Sequence, residues 1–519
     1  MKVLWLCNVM IPMIAEQLNL EGTNKEGWIS GLADMVLKNQ QSNGVDLAVA
    51  FPAPQDLFST SHDAGSLREQ PESIYKRVLK LKNGTFTCYG FYEDVGHAER
   101  YDRSLENKLA LILDDAKPDI VHCFGTEYPH TLAMCRVFSD KKRLLINVQG
   151  ICTLCAQAYF ADLPGKVLKK VTLRDYLKRD CLLEQQQKFV KRGIMEKEAV
   201  MLSGNVAGRT EWDRDCIRSW NKNIRYFNMN EILRPEFYGP KWKADKCIPH
   251  SIFLSQGDYP LKGLHYMLLA MPAILSGYPD AHLYVAGNSI VNYRTLKQKL
   301  KISSYGKYLR KLMKENGLYD KVSFLGRLNA EQMRERYLIS SLFVCCSSVE
   351  NSPNSLGEAM LLGMPCVTAN VGGIPSLFTD GEDGIMYEGH RDDEDGIMYE
   401  VHRDGGGGTM YVAHRDGRDG TIHENRRIEK DSDEDLKNIS RHLSEAVIAM
   451  WSDQDKQQMY CKNARQHAGR THCREKNYSK LIEIYGEILS GGQSAADEYG
   501  ENISNEQPAA DEYDENNIL

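Results

Sequence analysis

Residues 349–373 read "VENSPNSLGEAMLLGMPCVTANVGG" and place two glutamates, Glu350 and Glu358, on either side of a Ser-Pro pair. Ser352 suits a helix N-cap, because its hydroxyl can accept a backbone N–H, and Pro353 suits the first turn, where it has no N–H to lose. A helix starting there aims the amides of Asn354 and Ser355 outward at its positive end, a ready seat for an anion such as a phosphate. Glu358 then lies about a turn and a half along the helix, with Glu350 in the loop before it. The two carboxylates bracket the seat, and each can accept two hydrogen bonds from a vicinal pair of hydroxyls. The apolar "PCVTANV" that follows reads as a strand, and Gly372 and Gly373 behind it lack the side chains that would keep a ligand from the backbone. The bland alternative is a pair of solvated charges around an ordinary capped helix.

This helix and strand end a longer series. "SIFLSQGD", "KGLHYMLLAMPAIL", "AHLYVAG", "KVSFLGRL", "EQMRERYLI" and "LFVCCSS" come before it, reading as strand or helix in turn. The N-terminal half alternates in the same way through "KVLWLC", "WISGLADMVLKNQ", "VDLAVAF", "PDIVHCFG" and "RLLINVQG". Such alternation predicts βαβ units around parallel sheets. Between the two series lies "RPEFYGPKWKADKCIPH", rich in proline and charge, so residues 234–250 are read as a linker. The expected fold is α/β, with Rossmann-like domains over residues 1–233 and 251–382 facing each other across a cleft. Ligands in such sheets sit at the carboxyl ends of the strands, which makes the cleft the expected site.

The chain has 519 residues, more than one hydrophobic core usually organises, which agrees with two domains of roughly 200 residues each. Hydrophobic residues make up 42% and charged residues 26%, an ordinary globular balance. A formal net charge of -7 argues against a nucleic-acid partner. The opening "MKVLWLCNVMIP" reads as a first strand rather than a signal peptide. No apolar run approaches the ~20 residues that cross a bilayer, so a cytoplasmic location is expected, with contact at the inner face of the membrane left open. The 14 cysteines show no disulfide-scaffold spacing and read as buried thiols. Cys152 and Cys155 alone have Cys-x-x-Cys spacing, a weak signal for metal or redox chemistry.

Residues 383–424 differ in kind. "DGIMYEGHRDDE", "DGIMYEVHRDGG", "GGTMYVAHRDGR" and "DGTIHE" align at a strict period of 12, with His390, His402 and His414 in register. Few of these residues can bury a face, so the segment is read as a duplicated, mobile insertion. Metal binding by the histidine row is the lesser alternative. Residues 425–490 should be helical, and "NYSKLIEIYGEIL" spaces Leu481, Ile484 and Ile488 as a closing helix would. The acidic tail, residues 491–519, repeats "AADEYGENI" as "AADEYDENNI" and should be disordered.

The block "ENSPNSLGEAMLLGMPCVTANVGG" resembles the retaining glycosyltransferases of family 4, which have the GT-B fold and a Glu-x7-Glu signature followed by a Gly-Gly loop. The likeness extends over most of residues 1–375 and through 455–489. "GRTEWDRDC", "NEILRPEFY" and "YPLKGLHYML" are similar to members that assemble bacterial surface or capsular polysaccharides. The resemblance implies transfer of a sugar from a nucleotide diphosphate sugar to a saccharide or lipid-linked acceptor, with retention and without a metal or other cofactor. It implies that Glu358 holds the ribose hydroxyls, that Glu350 contacts the transferred sugar, and that Lys262 in "YPLKGL" neutralises the diphosphate, beside the amides of Asn354 and Ser355. Where the family usually carries an arginine shortly before that lysine, this sequence has Gly257 and Asp258. Arg327 in "FLGRL" is the candidate substitute. On the acceptor side, Gly22 and Gly27 remain of a glycine-rich first loop, and Gln149 stands where a histidine often ends a strand. His122 and Glu127 in "VHCFGTEYPH" are the alternative polar groups there, with His122 the candidate catalytic histidine or else a core residue. A non-catalytic binding or scaffold subunit, and a nucleotide-sugar epimerase of the same fold, are the rival functions.

Overall fold

A computed structural model describes residues 1–20, 27–59, 74–291, 295–390, 398–403, 410–415, 422–424 and 432–491. The strands are β1 Lys2–Cys7, β2 Asp46–Pro52, β3 Tyr75–Leu81, β4 Gly84–Phe91, β5 Ile120–Phe124, β6 Leu144–Asn147, β7 Asn205–Gly208 and β8 Arg225–Asn228 in the N-terminal half. They form one sheet in the order β3-β4-β2-β1-β5-β6-β7-β8, parallel except for β3 against β4. The C-terminal half contributes β9 Ile248–Leu254, β10 His282–Ala286, β11 Val322–Gly326, β12 Ser340–Cys345, β13 Cys366–Asn370 and β14 Ile385–Glu388. These form a parallel sheet in the order β11-β10-β9-β12-β13-β14. The expected pair of Rossmann-like domains is present. Its central strands are apolar almost end to end, as "LFVC" in β12 is, because helices cover both faces of each sheet.

Strand order reverses between β9 and β12, so the loops leaving their carboxyl ends diverge and open a crevice. One loop carries residues 255–262 and the other residues 346–353. This topology brings Lys262 and Glu350, 88 positions apart, to one place.

The two domains exchange elements. Residues 158–182, expected in the N-terminal domain, pack into the C-terminal core: Tyr159, Leu163 and Leu168 share a buried cluster with Leu264 and Met267. Tyr266 donates to Asp162 at 2.6 Å, Thr172 donates to the Ile302 carbonyl at 2.7 Å, and the Ser304 amide donates to Asp175 at 2.9 Å. The boundary at residue 233 is therefore a chain boundary and not a packing boundary. In return the helix Arg474–Ser490 buries Leu481, Ile484 and Ile488 against the N-terminal sheet, and Trp5 donates to the Tyr485 hydroxyl at 2.8 Å. That is the closing helix expected from its spacing. The linker is well packed, with Phe237 and Trp242 buried, and β9 begins inside it at Ile248.

The repeat segment is corrected in part. Its first copy is no insertion, since Ile385–Glu388 is the edge strand β14, paired in parallel with β13 from Val367↔Ile385 to Asn370↔Glu388. Gly389 explains why this copy takes the slot. A Cβ there would lie 2.8 Å from Val371 and 2.9 Å from Ala369, and the following copies carry Val401 and Ala413 instead. Those copies form a separate antiparallel sheet of β15 Met398–Arg403, β16 Met410–Arg415 and β17 Ile422–Glu424, starting 12 residues apart. The histidine register is broken accordingly. His390 bonds Asp162 at 2.9 Å, while His402 pairs with Tyr411 and His414 with Tyr399 across the separate sheet. Gly22 and the tail beyond Gly491 lie outside the described residues. Cys152 is a buried thiol and Cys155 a half-buried one; desolvation pushes both pKa values up, that of Cys155 to about 12, which keeps them protonated.

Candidate active site

The crevice at the β9/β12 switch point opens into a cleft of about 1280 Å³ between the two domains. Its lining brings together Lys262, Arg327, Glu350, Asn354, Ser355 and Glu358 from the C-terminal domain with Gly27 from the N-terminal domain. The close approach that forms its floor depends on Gly263, at φ +68, where a Cβ would fall 1.7 Å from the Cys346 carbonyl oxygen. With that contact made, the Ser348 amide donates to the Leu261 carbonyl at 2.9 Å, and the lysine loop lies against the glutamate loop. Lys262 is ion-paired with Glu350, whose Oε1 also accepts from Ser347 at 2.7 Å. Burial opposes the charge on Lys262, but the Glu350 carboxylate and then the Tyr259 hydroxyl hold its pKa above the ordinary lysine value.

The helix is Asn354–Leu362, with Pro353 at the N-cap position and no side-chain cap. Ser352 does not cap it, contrary to expectation, so no hydroxyl covers the amides of its first turn. Asn354 and Ser355 line the cleft at that uncapped end, and Asn354 Oδ1 is buried without a hydrogen-bond partner. An orphaned buried acceptor beside uncovered amides marks a polar site awaiting a ligand.

Glu358 is 2% exposed, and both of its oxygens are engaged: Arg234 Nε donates to Oε1 at 2.6 Å and Nη2 to Oε2 at 2.7 Å. Burial raises the Glu358 pKa above its ordinary value, with Arg234 pulling against it. Arg234 is the residue the sequence reading missed. It lies in the linker before Pro235, packs over Phe237 at 4.8 Å, and passes Gly27, where a Cβ would meet its stem at 3.0 Å. An arginine in a linker has no periodic signature. The only available sign was a lone cation next to the residues that resemble the family.

Arg327 lies at the rim and donates to Asn288 at 2.8 Å, and Asn288 and Gln256 both donate to Asp258 at 2.9 Å. In all, Arg234, Lys262 and Arg327 balance Asp258, Glu350 and Glu358 around the lining. Arg234 and Lys262 are held by carboxylates, whereas Arg327 is held by the amide oxygen of Asn288.

Several expected site residues stand elsewhere. Gly257 packs against Leu264 and Val285, each 2.9 Å from where its Cβ would be, and does not reach the cleft. Gly372, at φ +53, and Gly373 give their bareness to the protein itself: Cβ atoms there would lie 2.1 Å from the Glu350 carbonyl oxygen and 2.3 Å from that of Asn351. They seat the glutamate loop and do not line the cleft. Gln149 and Glu127 lie behind the lining. The Gln149 carbonyl accepts from Asn351 and from Arg209, each at 2.9 Å, while Glu127 accepts from Asn8 at 2.8 Å and from the Gly150 amide at 3.0 Å. His122 is a core residue and does not line the cleft. It is fully buried, stacks on Phe124 at 4.0 Å and bonds the Tyr485 hydroxyl at 2.8 Å, and burial lowers its pKa to about 3.

Residues 249–396 match the family model described as glycosyl transferases group 1. The chain is 29% identical over 127 residues to spore coat protein SA of Bacillus subtilis, covering 24% of this chain and 32% of that protein. It is 27% identical over 178 residues to an uncharacterized glycosyltransferase of Methanocaldococcus jannaschii, covering 34% and 38%. The chain thus spans about a third of the length of these curated relatives. Among solved structures, sucrose-phosphate synthase from Thermosynechococcus elongatus matches with TM-score 0.55 and 12% identity over 95% of this chain and 100% of that one. Anabaena HepE in complex with UDP and glucose matches with TM-score 0.54 and 14% identity over 94% and 100%. This chain accordingly has the GT-B fold, and its residues 249–396 are similar to the glycosyl transferases group 1 family.

Proposed function

We propose that the protein is a family 4 glycosyltransferase that moves a hexosyl group from a nucleotide diphosphate sugar to a saccharide or lipid-linked acceptor, with retention, in the cytoplasm. The observation that carries this reading is the convergence, at one topological switch point, of an uncapped helix N-terminus, Lys262, and two carboxylates on either side of it. The diphosphate lies against the amides of Asn354 and Ser355, with Lys262 sharing its charge between phosphate and Glu350. Glu358 turns its remaining lone pairs to the ribose diol while Arg234 fixes the carboxylate plane. Glu350 contacts the transferred sugar. The bond from the anomeric carbon to the diphosphate oxygen breaks as the acceptor oxygen bonds the same face. The acceptor proton passes to the departing diphosphate. The protein's part is charge stabilisation and orientation, and the reading uses no metal ion.

HepE, a structural neighbour, has been solved with UDP and with UDP-glucose, which supports the donor class. One observation favours a non-catalytic binding subunit instead: Asp258 sets a carboxylate in the cleft wall where a phosphate-facing cation would be expected. Release of nucleoside diphosphate from a panel of nucleotide sugars, with and without saccharide acceptors, separates the two. Acceptor-stimulated release that falls about a hundredfold or more in Glu350→Gln supports transfer. Binding of a nucleotide sugar without release by the parent refutes it.

A further inference from the structure

We propose that the surface formed by residues 165–179 together with residues 299–307 docks the protein on an anionic phospholipid bilayer. The proposal does not depend on the transfer reaction. It begins from a charge asymmetry: the chain carries -7 overall, yet residues 165–180, "GKVLKKVTLRDYLKRD", hold six lysines and arginines against two aspartates. Residues 295–314 hold seven cations and no carboxylate.

The fold joins these two stretches. Thr172 donates to the Ile302 carbonyl at 2.7 Å and the Ser304 amide donates to Asp175 at 2.9 Å, so they form one continuous face. Arg174 is held by Asp175 and Asp180 within that face. Lys166, Lys170, Lys178 and Arg179 stand exposed on one side of the seam, and Lys299, Lys301 and Lys307 on the other.

Charge alone would describe a solvated face, but apolar tips stand among the cations. Leu177 is 71% exposed, Leu300 60%, Tyr176 58% and Leu173 54%. Leu173, Tyr176 and Leu177 belong to the short helix Leu173–Lys178, whose capping box of Thr172 and Asp175 fixes which side it turns outward. Projecting leucines and a tyrosine ringed by lysines are what the headgroup boundary of an anionic bilayer accepts. The apolar tips enter the acyl edge, the lysine stems follow them, and the ammonium groups meet lipid phosphates. A nucleic acid would use the charge and leave the leucines in water.

The test is co-sedimentation of the full chain with vesicles of pure phosphatidylcholine and of phosphatidylcholine mixed with phosphatidylglycerol, over a range of salt. Binding to the mixed vesicles alone, weakening as salt rises, is expected. The variant Lys166→Glu/Lys170→Glu/Lys178→Glu should lose affinity on the order of a hundredfold, since each cation near the surface matters about fivefold. Leu173→Ser/Leu177→Ser should weaken binding at every salt concentration. All five positions are exposed, so both variants should melt with the parent. Failure of the parent to bind the mixed vesicles, equal binding to both kinds, or full retention of binding by both variants would each overturn the proposal.

Discussion

Replacing Arg234 with methionine keeps an unbranched apolar stem, ending about where the arginine Nε lies, and removes the guanidinium, leaving Glu358 buried without a partner. The two hydrogen bonds lost are charge-assisted and short, at 2.6 and 2.7 Å, and the carboxylate is 3% exposed at its side chain. Breaking one side of such a buried pair costs about 3–5 kcal/mol, because the surviving charge keeps its desolvation penalty. Glu358 escapes part of that cost by taking a proton, for which burial already predisposes it. A carboxylate with a raised folded pKa contributes stability that is present at low pH and lost as pH rises through that value. The deficit of Arg234→Met against the parent should therefore grow from about pH 5 to about pH 8. Urea denaturation at the two pH values measures it. Adding Glu358→Gln should recover a large part of the deficit and remove its pH dependence. Arg234→Lys should not restore the parent, since an ammonium cannot span both oxygens in one plane. If Arg234→Met stays within about 1 kcal/mol of the parent at about pH 8, the buried pair does not hold this site together.

Two further predictions concern groups outside the cleft. His122→Phe should keep its turnover number while losing about 1 kcal/mol of stability, the worth of one buried hydrogen bond to Tyr485, and loss of turnover without loss of stability would return His122 to the reaction. Glu196 is buried, accepts from Thr126, Thr153 and the Cys152 amide, and has its pKa raised by burial to about 7. Its contribution is complete below about pH 4.5 and is lost as pH rises through 7, so the stability difference between parent and Glu196→Gln should shift by up to about 3 kcal/mol across that window. A difference that stays constant with pH would show that Glu196 does not titrate there.

The legible parts of this protein are those that periodicity encodes. Alternating apolar runs gave the two parallel sheets, and the spacing of Leu481, Ile484 and Ile488 gave the closing helix, because burial on one face or both is set by local pattern. Glu350, Glu358 and Lys262 could be placed together because a switch point brings the ends of β9 and β12 into one crevice. Pattern does not say which core an amphipathic stretch joins, so the crossing of residues 158–182 was illegible. A glycine next to a site reads alike whether it admits a ligand or a neighbouring carbonyl. Gly372 and Gly373 admit the carbonyls of Glu350 and Asn351. His122 ends a strand among aromatics, and only the packed structure shows that Tyr485, 363 positions away, is its partner. The strict period of 12 concealed β14, since identical hexapeptides differ in fate through Gly389 outside them.

Ligand-induced thermal stabilisation of the full chain by a nucleoside diphosphate and by the matching nucleotide sugar tests the donor site most directly. At about a hundred times its dissociation constant a ligand should stabilise the parent by ~2.7 kcal/mol. Glu358→Ala should abolish the increment from the nucleoside diphosphate, whereas Glu350→Ala should keep that increment and lose the part added by the sugar. Equal increments in the parent and both variants would contradict the assignment of the cleft.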